Sequence, residues 1–325
     1  MIRNIPLNIQ TLYADLLQSA DIADDVPATI KRKTVRGRSY LYASIRSGTR
    51  RTEHYIGPEE DEKAQAQAKN YQRAEARAKA RRSTVAMLRR AHMLAPPPPI
   101  GRVFEVLSRE GLFSRGLTLV GTHAFRLYPL HLGMTWPGAA FATNDIDISA
   151  AAFSEAGDPV DLAEVFKGAD PELEIQWYPG SDQLPARFRL GEVTIDILTR
   201  AKRGGRSPIE IKALGLAGEA LPFQEYLTEQ ALEVIVLHGA GVRVRVPDPA
   251  RYAVHKLIVS QRRPGRDPKT AKDLEQASAL IRALTSLGFE HDIDDAIEDA
   301  RQRGRSWRVA VNAGLAAIEK EAGSG

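Results

Sequence analysis

Three aspartates are the residues through which this sequence can do chemistry. Asp145 and Asp147 flank Ile146 in the run Asn144-Asp145-Ile146-Asp147-Ile148, and Asp196 stands alone in Val193-Thr194-Ile195-Asp196-Ile197-Leu198. Side chains alternate along a strand, so Asp145 and Asp147 share one face while Ile146 and Ile148 enter the core. Two carboxylates side by side repel each other unless a cation sits between them. Hard oxygen ligands of this kind suit Mg²⁺ or Mn²⁺. If its strand lies beside the first, Asp196 completes a triad able to hold two metals about 4 Å apart. Upstream, Leu117-Thr118-Leu119-Val120 runs into Gly121-Thr122-His123-Ala124-Phe125, a buried strand followed by a glycine turn and a helix.

The sequence supplies its own control. Asp292-Ile293-Asp294 repeats the triplet but follows no Gly-Thr turn. It opens a segment with Ile293, Ala296, Ile297 and Ala300 at helical spacing, and acids in a first helical turn need no function.

Periodicity sets the frame around the aspartates. Residues 101–110 read as a helix, 117–120 as a strand, 122–132 as a helix and 145–150 as a strand. Strands follow at 173–178, 187–190 and 193–198, and 233–237 pairs with 242–246 through a turn at 238–241. From 249 to 321 the pattern predicts three or four helices, the first capped by Asp248-Pro249.

The order helix, strand, Gly-Thr, helix, strand with Asp-Ile-Asp-Ile, then a later strand with one Asp, resembles the DNA polymerase β-like nucleotidyltransferase superfamily. That family's pattern is an apolar residue, Gly, then Gly or Ser, with an acid-x-acid pair on the next strand. Thr122 replaces the usual Ser and retains the hydroxyl, and an insertion around 133–141 lengthens the connection to Asp145. Further on, Lys256 in Arg251-Tyr252-Ala253-Val254-His255-Lys256-Leu257 and Asp273 in Lys272-Asp273-Leu274 look like residues of the bacterial abortive-infection nucleotidyltransferase toxins.

The resemblance implies an α+β fold with a polymerase β-like catalytic core, a mixed sheet with helices, over 100–248. It implies metal-dependent transfer of a nucleoside monophosphate from a nucleoside triphosphate to an acceptor hydroxyl. Gly121 and Thr122 would receive the β- and γ-phosphates, because glycine permits close approach to backbone amides at a helix start. Asp145 and Asp147 would hold Mg²⁺ (or Mn²⁺) against the triphosphate. Asp196 would bind the second metal and assist deprotonation of the acceptor. Lys256 would neutralise the leaving pyrophosphate, and Asp273 would belong to the nucleotide site.

The acceptor is read from the other end of the chain. Segments 28–35, 39–45 and 49–56 alternate with period two, separated by Arg36-Gly37-Arg38 and Arg46-Ser47-Gly48, which predicts a three-stranded antiparallel meander. It carries Lys31, Arg32, Lys33, Arg36, Arg38, Arg46, Arg50 and Arg51 against the single acid Glu53, with Tyr40, Tyr42 and Tyr55 interleaved. A long helix is expected over 59–94, and the prolines at 96–99 read as a stiff spacer. Three domains follow: a basic segment over 1–95, the core over 100–248 and a helical domain over 249–325.

Cations with interleaved tyrosines suit phosphate contacts and base stacking. Structured RNA, tRNA first, is therefore the expected acceptor, met by Lys31, Lys33, Arg36, Arg38, Tyr40, Arg50 and Arg51. Arg203 and Arg206, in the basic loop after Asp196, would guide it to the metals. Competing readings are a protein or small-molecule acceptor, a two-metal nuclease, and a non-catalytic nucleic-acid-binding or regulatory protein on the same scaffold. A protein partner, such as an antitoxin, is also compatible.

Composition narrows the classes. The 325 residues carry a net charge of +4, but the first hundred hold 18 Lys/Arg against 10 Asp/Glu. The average is thus a basic front and a mildly acidic remainder. Cysteine is absent, which excludes disulfides, thiolate metal sites and cysteine nucleophiles and fits a reducing cytoplasm. The sequence has no signal-peptide pattern and no apolar run near the ~18 residues of a membrane span, so no membrane association is expected. It contains no phosphate-loop or dinucleotide fingerprint and no nucleophile elbow. His255, beside Lys256, is expected on a helix surface.

Overall fold

The computed structural model describes residues 2–20, 27–47, 50–136, 138, 143–178, 184–201, 208–263 and 267–322. A two-residue strand, β1 (Arg3–Asn4), precedes the helix α1 (Leu7–Ala20), which buries Tyr13, Leu16 and Ala20. The basic meander follows as β2 (Thr29–Val35), β3 (Arg38–Ser47) and β4 (Arg50–Pro58), paired antiparallel in that order. In its first turn Arg36 and Gly37 take φ of 49° and 79°, positive values whose twist matches that of the flanking strands.

The long helix α2 (Glu62–Arg90) starts at Asp61, whose carboxylate accepts a hydrogen bond from the Lys63 amide. Its alanines lie close against the sheet: a Cβ on Gly57 would meet that of Ala64 at 2.8 Å. Its last turns pack elsewhere. Val85 and Leu88 join Tyr13, Leu16, Ile235 and Leu237 in one apolar cluster, and the Ile235 amide donates to the Tyr13 hydroxyl (3.1 Å). So α1 and the end of α2 pack on the rest of the chain, while β2–β4 and the start of α2 form a sheet-on-helix unit. The proline spacer is shorter than expected, because Pro98 and Pro99 fill the first turn of α3 (Pro98–Arg109), where a missing N–H costs nothing.

The core continues with β5 (Thr118–Val120), α4 (Gly121–Phe125) and α5 (Tyr128–His131). The single helix expected over 122–132 is broken because Pro129 has no N–H to offer the Phe125 carbonyl. Next come β6 (Met134–Thr135), which pairs with β1, then β7 (Asp145–Ser149), α6 (Leu162–Lys167), β8 (Glu174–Trp177), β9 (Pro185–Leu190) and β10 (Val193–Arg200). They are followed by β11 (Ile209–Ile211), β12 (Leu216–Leu221), α7 (Gln224–Glu229) and the hairpin β13 (Ala231–Val236) with β14 (Val242–Pro247).

Seven strands make one mixed sheet in the order β11-β12-β10-β7-β5, with β9 and then β8 added on β10. β10 runs parallel to β7 and β12 and antiparallel to β9. It gives its first half to β9, through Asp196 opposite Arg187, and its last three residues to β12. The β7–β10 register sets Thr194 opposite Asp145 and Asp196 opposite Asp147. One sheet face is a buried layer of Leu119, Ile146, Ile148, Ile195 and Ile197, in the same core as Phe104 and Leu107 of α3 and Phe166 of α6.

Four helices close the chain: α8 (Pro249–Ser260), capped by Asp248, then α9 (Pro268–Ser286), α10 (Glu290–Gln302) and α11 (Arg305–Ala322). Val254, Ile258, Leu284, Ile293, Ile297 and Val311 hold them together. Asp292 lies in the first turn of α10 and Asp294 just after it, on the helix that their context predicts. The architecture is α+β, a mixed sheet with helices.

Candidate active site

The site is built on the sheet face opposite the isoleucine layer. Alternation along β7 and β10 puts Asp147 and Asp196 side by side on that face. β5 pairs with β7 so that Val120 stands opposite Asp147, which brings the next residue, Gly121, against the Asp147 carboxylate. Gly121 has φ +63°, and a Cβ there would overlap the Asp147 carboxylate oxygen. Glycine is required twice over, for the turn and for the approach. Because α4 is only five residues long, Gly121 contributes its backbone and the space above it rather than a macrodipole.

These residues line a cleft of about 500 Å³, within the range of small-molecule sites. One wall is the sheet, with Asp147, Asp196, Arg187 and Glu219; the other is formed by α8 and the residues around the start of α9, with Lys256, Arg262, Arg263 and Lys269. Carboxylates therefore face cations across the gap. Burial, then the neighbouring Asp196, push the Asp147 carboxyl up to about 6, while Lys256 and Lys269 pull it down and Asp145 adds a smaller push upward. Arg187 lies on the Asp196 carboxylate. This contact holds the guanidinium above its ordinary value, with Glu219 and Asp145 adding to the effect.

The sequence-predicted residues separate in space. Asp147, Asp196, Gly121 and Lys256 line the cleft together. Asp145 is on the same face but exposed, one pair nearer the start of the strand. Thr122 is buried beside Gly121. Asp273 is 2% exposed and spends both carboxylate oxygens on cations, one on Lys256 Nζ (2.7 Å) and one on Arg263 Nε (2.7 Å). It fixes two residues of the basic wall and meets the cleft only through them. Tyr252 tightens the same corner, its hydroxyl donating to the Gly121 carbonyl (2.8 Å) and its ring lying 5.4 Å from Lys256 Nζ.

Two histidines near the site are buried. His123 packs its ring on Phe104 at 5.7 Å, and burial lowers its pKa to about 4. His255 is 7% exposed rather than on a surface, lines the cleft, and burial lowers its pKa to about 3. Glu219, Gln224, Arg187, Arg263 and Lys269 carried no sequence signal. They reach the cleft through pairing and packing that no local pattern reports.

The expected nucleic-acid residues sit on β2–β4. Register sets Lys31 opposite Tyr42 and Tyr42 opposite Tyr55, with Lys33 opposite Tyr40, all on one face. Tyr55 is 56% exposed and packs its ring at 5.4 Å from that of Tyr42, while Lys33 Nζ lies 4.7 Å above Tyr42. Part of the positive charge is compensated, since Glu53 bridges Lys31 and Lys33. Arg36 and Arg38 are exposed, and Arg51 Nε donates to Ser44 Oγ (2.9 Å). Arg50 belongs to β4 by its backbone. Arg203 and Arg206 lie outside the described residues.

Asp147 and Asp196 fit a divalent cation by donor chemistry, as a pair of oxygen ligands whose mutual repulsion a cation would relieve. Among the described residues no group of three or more acidic, His or Cys side chains is gathered closely enough to hold a metal ion. Asp145 stays outside the pair and Asp196 is turned to Arg187. No helix among the described residues is long and apolar enough to cross a membrane.

No curated protein and no solved structure matches the chain significantly. A glycine-backed pair of strand aspartates, facing a lysine–arginine wall, is accompanied by a match of residues 99–302 to the family described as nucleotidyltransferase. The match covers more than half of the sequence, and the chain belongs to that nucleotidyltransferase family.

Proposed function

We propose that this enzyme transfers a nucleoside monophosphate from a nucleoside triphosphate to a hydroxyl of an RNA. The observation that carries the reading is the pairing of walls: Asp147 and Asp196 on one side of the cleft, Lys256, Arg263 and Lys269 on the other. An anionic triphosphate matches the basic wall, and a divalent cation bridges such a ligand to carboxylates. Nucleotidyltransferases generally use divalent metals. Held by Asp147 and Asp196, with Asp145 within the same strand, Mg²⁺ or Mn²⁺ would neutralise the phosphates and favour ionisation of the acceptor hydroxyl.

The chain's own residues do the rest. Lys256 and Arg263, fixed by Asp273, hold the β- and γ-phosphates and stabilise the charge that gathers on pyrophosphate as it leaves. Gly121 lets the triphosphate approach the backbone. Asp196 receives the proton of the acceptor hydroxyl, whose oxygen bonds the α-phosphorus as the bond to the β-phosphate oxygen breaks. RNA is favoured as acceptor by the Tyr40, Tyr42, Tyr55 and Lys33 face of the N-terminal sheet, which offers rings and cations together.

The test is incubation with each α-labelled nucleoside triphosphate, divalent metal and total RNA or lysate. The expected result is labelled RNA with the wild-type protein and none with Asp145→Ala/Asp147→Ala. Label that survives the double change overturns the site. Label on protein or a small molecule overturns the RNA acceptor.

A further inference from the structure

The sheet β2–β4 has two unlike faces. One packs on α2: Leu41 and Ala43 are buried there, and Leu41 pairs with Gly57 beside Ala64. The other carries Val35, Tyr40, Tyr42 and Tyr55, brought together by the register of all three strands. Val35 is 52% exposed, and Tyr55, on the edge strand, is 56% exposed. Exposed apolar side chains gathered in one patch mark an interaction surface, as single ones do not.

The three rings are not equivalent. Lys33 Nζ sits over Tyr42 at 4.7 Å and takes up one face of that ring. Tyr55 meets Tyr42 edge-on, at 5.4 Å and 66°, and lies tilted against Tyr40, at 6.1 Å and 48°. Two neighbours thus fix the orientation of Tyr55 while leaving it open to solvent. A ring already fixed loses little further freedom when it takes a ligand on its face. Lys31, Lys33, Arg38 and Arg51 share this side of the sheet. They stand against one acid, Glu53, which bridges both lysines. The charge left over is positive and complements an anion.

A braced, exposed ring among cations discriminates between two forms of RNA. In an A-form duplex the bases stack on one another, so a duplex is held through its phosphates and 2′-hydroxyls. An aromatic side chain adds nothing to that contact. An unpaired strand offers free base faces, which stack on such rings whatever the sequence. Resting on RNA as the acceptor, we infer that β2–β4 holds an unpaired stretch of it, with one base stacked on Tyr55. Lys31, Arg38 and Arg51 take the flanking phosphates, and Tyr40 and Tyr42 brace the stacking ring. The acceptor is selected for a single-stranded segment, not for a helical stem and not for a base sequence.

The experiment is fluorescence anisotropy with the full-length protein and labelled RNA, without nucleotide, across a salt series. The ligands are an unstructured strand of about 12 nucleotides, the same strand annealed to its complement, and an abasic strand of equal length. The intact single strand is expected to bind at least about fivefold more tightly than the duplex, and Tyr55→Ala to lose about tenfold of that affinity. Tyr55→Phe retains it, because the ring and not the hydroxyl makes the contact. Tyr55→Ala leaves duplex affinity and the salt slope as they are, since no phosphate contact is removed. The abasic strand loses the same factor with the wild-type protein and nothing further with Tyr55→Ala. This arm reads the stacking without any variant, should Tyr55→Ala fail to fold. A duplex bound as tightly as the single strand overturns the stacking assignment while leaving RNA as acceptor. So does an abasic strand bound like the intact one, a folded Tyr55→Ala with wild-type affinity, or a Tyr55→Phe as weak as Tyr55→Ala. Should no RNA bind even at low salt, the RNA acceptor falls with it.

Discussion

Arg187 and Asp196 are cross-strand neighbours on β9 and β10, joined by an ion pair on the floor of the cleft. The guanidinium thus occupies one side of the carboxylate that a metal would use. Arg187 is 44% exposed along its side chain, so the bond is screened and can be exchanged. Replacing Arg187 with Met removes the competitor and is expected to tighten Mn²⁺ binding several-fold. Titration followed by the loss of the free Mn²⁺ resonance signal measures it. Unchanged affinity shows that Arg187 does not compete.

Asp273 supports a different expectation. Its carboxylate neutralises Lys256 and Arg263 from a position with almost no solvent access. Asp273→Ala leaves Lys256 without its carboxylate partner and Arg263 with only its longer contact to Asp267 (3.4 Å), and breaking a buried pair in this way costs about 3–5 kcal/mol. Arg263 is partly exposed, so the lower end is expected. Denaturant unfolding gives the number, and tripolyphosphate binding should weaken in parallel. A loss of stability without weaker binding would separate Asp273 from the phosphate site.

Acid should unfold the protein in a resolvable pattern. His123 and His255 have folded pKa values lowered to about 4 and about 3. Their contribution is present above the unfolded value near 6.5 and is lost as pH falls below it, at about 1.4 kcal/mol per pH unit for each histidine. Asp147 acts in the opposite sense. Its pKa is raised to about 6, so the folded state takes up its proton first and gains stability as pH falls from about 6 toward the unfolded value. Between about pH 6 and pH 5 the two effects partly cancel, so urea unfolding should lose stability with about the slope of one histidine, about 1.4 kcal/mol per pH unit, rather than that of two. Asp147→Asn removes the offset and steepens the decline, and at pH 8 it should be more stable than wild type. His123→Phe makes the decline shallower. A slope unchanged by both would refute the assignment.

The sheet face bears on RNA through salt. Changing Arg36, Arg38 and Arg50 together to Ala should reduce the slope of log affinity against log salt by about 2–3 if each touches one phosphate. Anisotropy with labelled tRNA across a salt series reads it. A slope equal to wild type would move the acceptor site off β2–β4.

The acids of the site were legible because strand alternation is a strict rule. Ile146 and Ile148 had to be inside, so Asp145 and Asp147 had to be outside, and the same held for Asp196 between Ile195 and Ile197. The Gly121 turn was legible because few residues follow a buried strand with that geometry. Arg187 was not, since its place depends on which residues of β9 meet β10 across the turn at Gly191-Glu192. Glu219 and Gln224 lie on β12 and α7, six-residue elements too short to show a period. His255 was misplaced to a surface because α8 is enclosed on nearly all sides, and a helix buried all round offers no polar face to read. Asp273 was found as a residue but not in its role, which only the two cations on its oxygens reveal.

The register of β7 and β10 has a consequence for how the molecule comes to exist. Slip β10 by one residue and every side chain changes face: Asp196 would be driven under α3 and α6, while Ile195 and Ile197 would surface in the cleft. No intermediate arrangement keeps the carboxylate in place with the aliphatic layer out of step. Assembling the chemistry and closing the core are one event, so the chain proofreads its reactive groups by the same step that makes it fold.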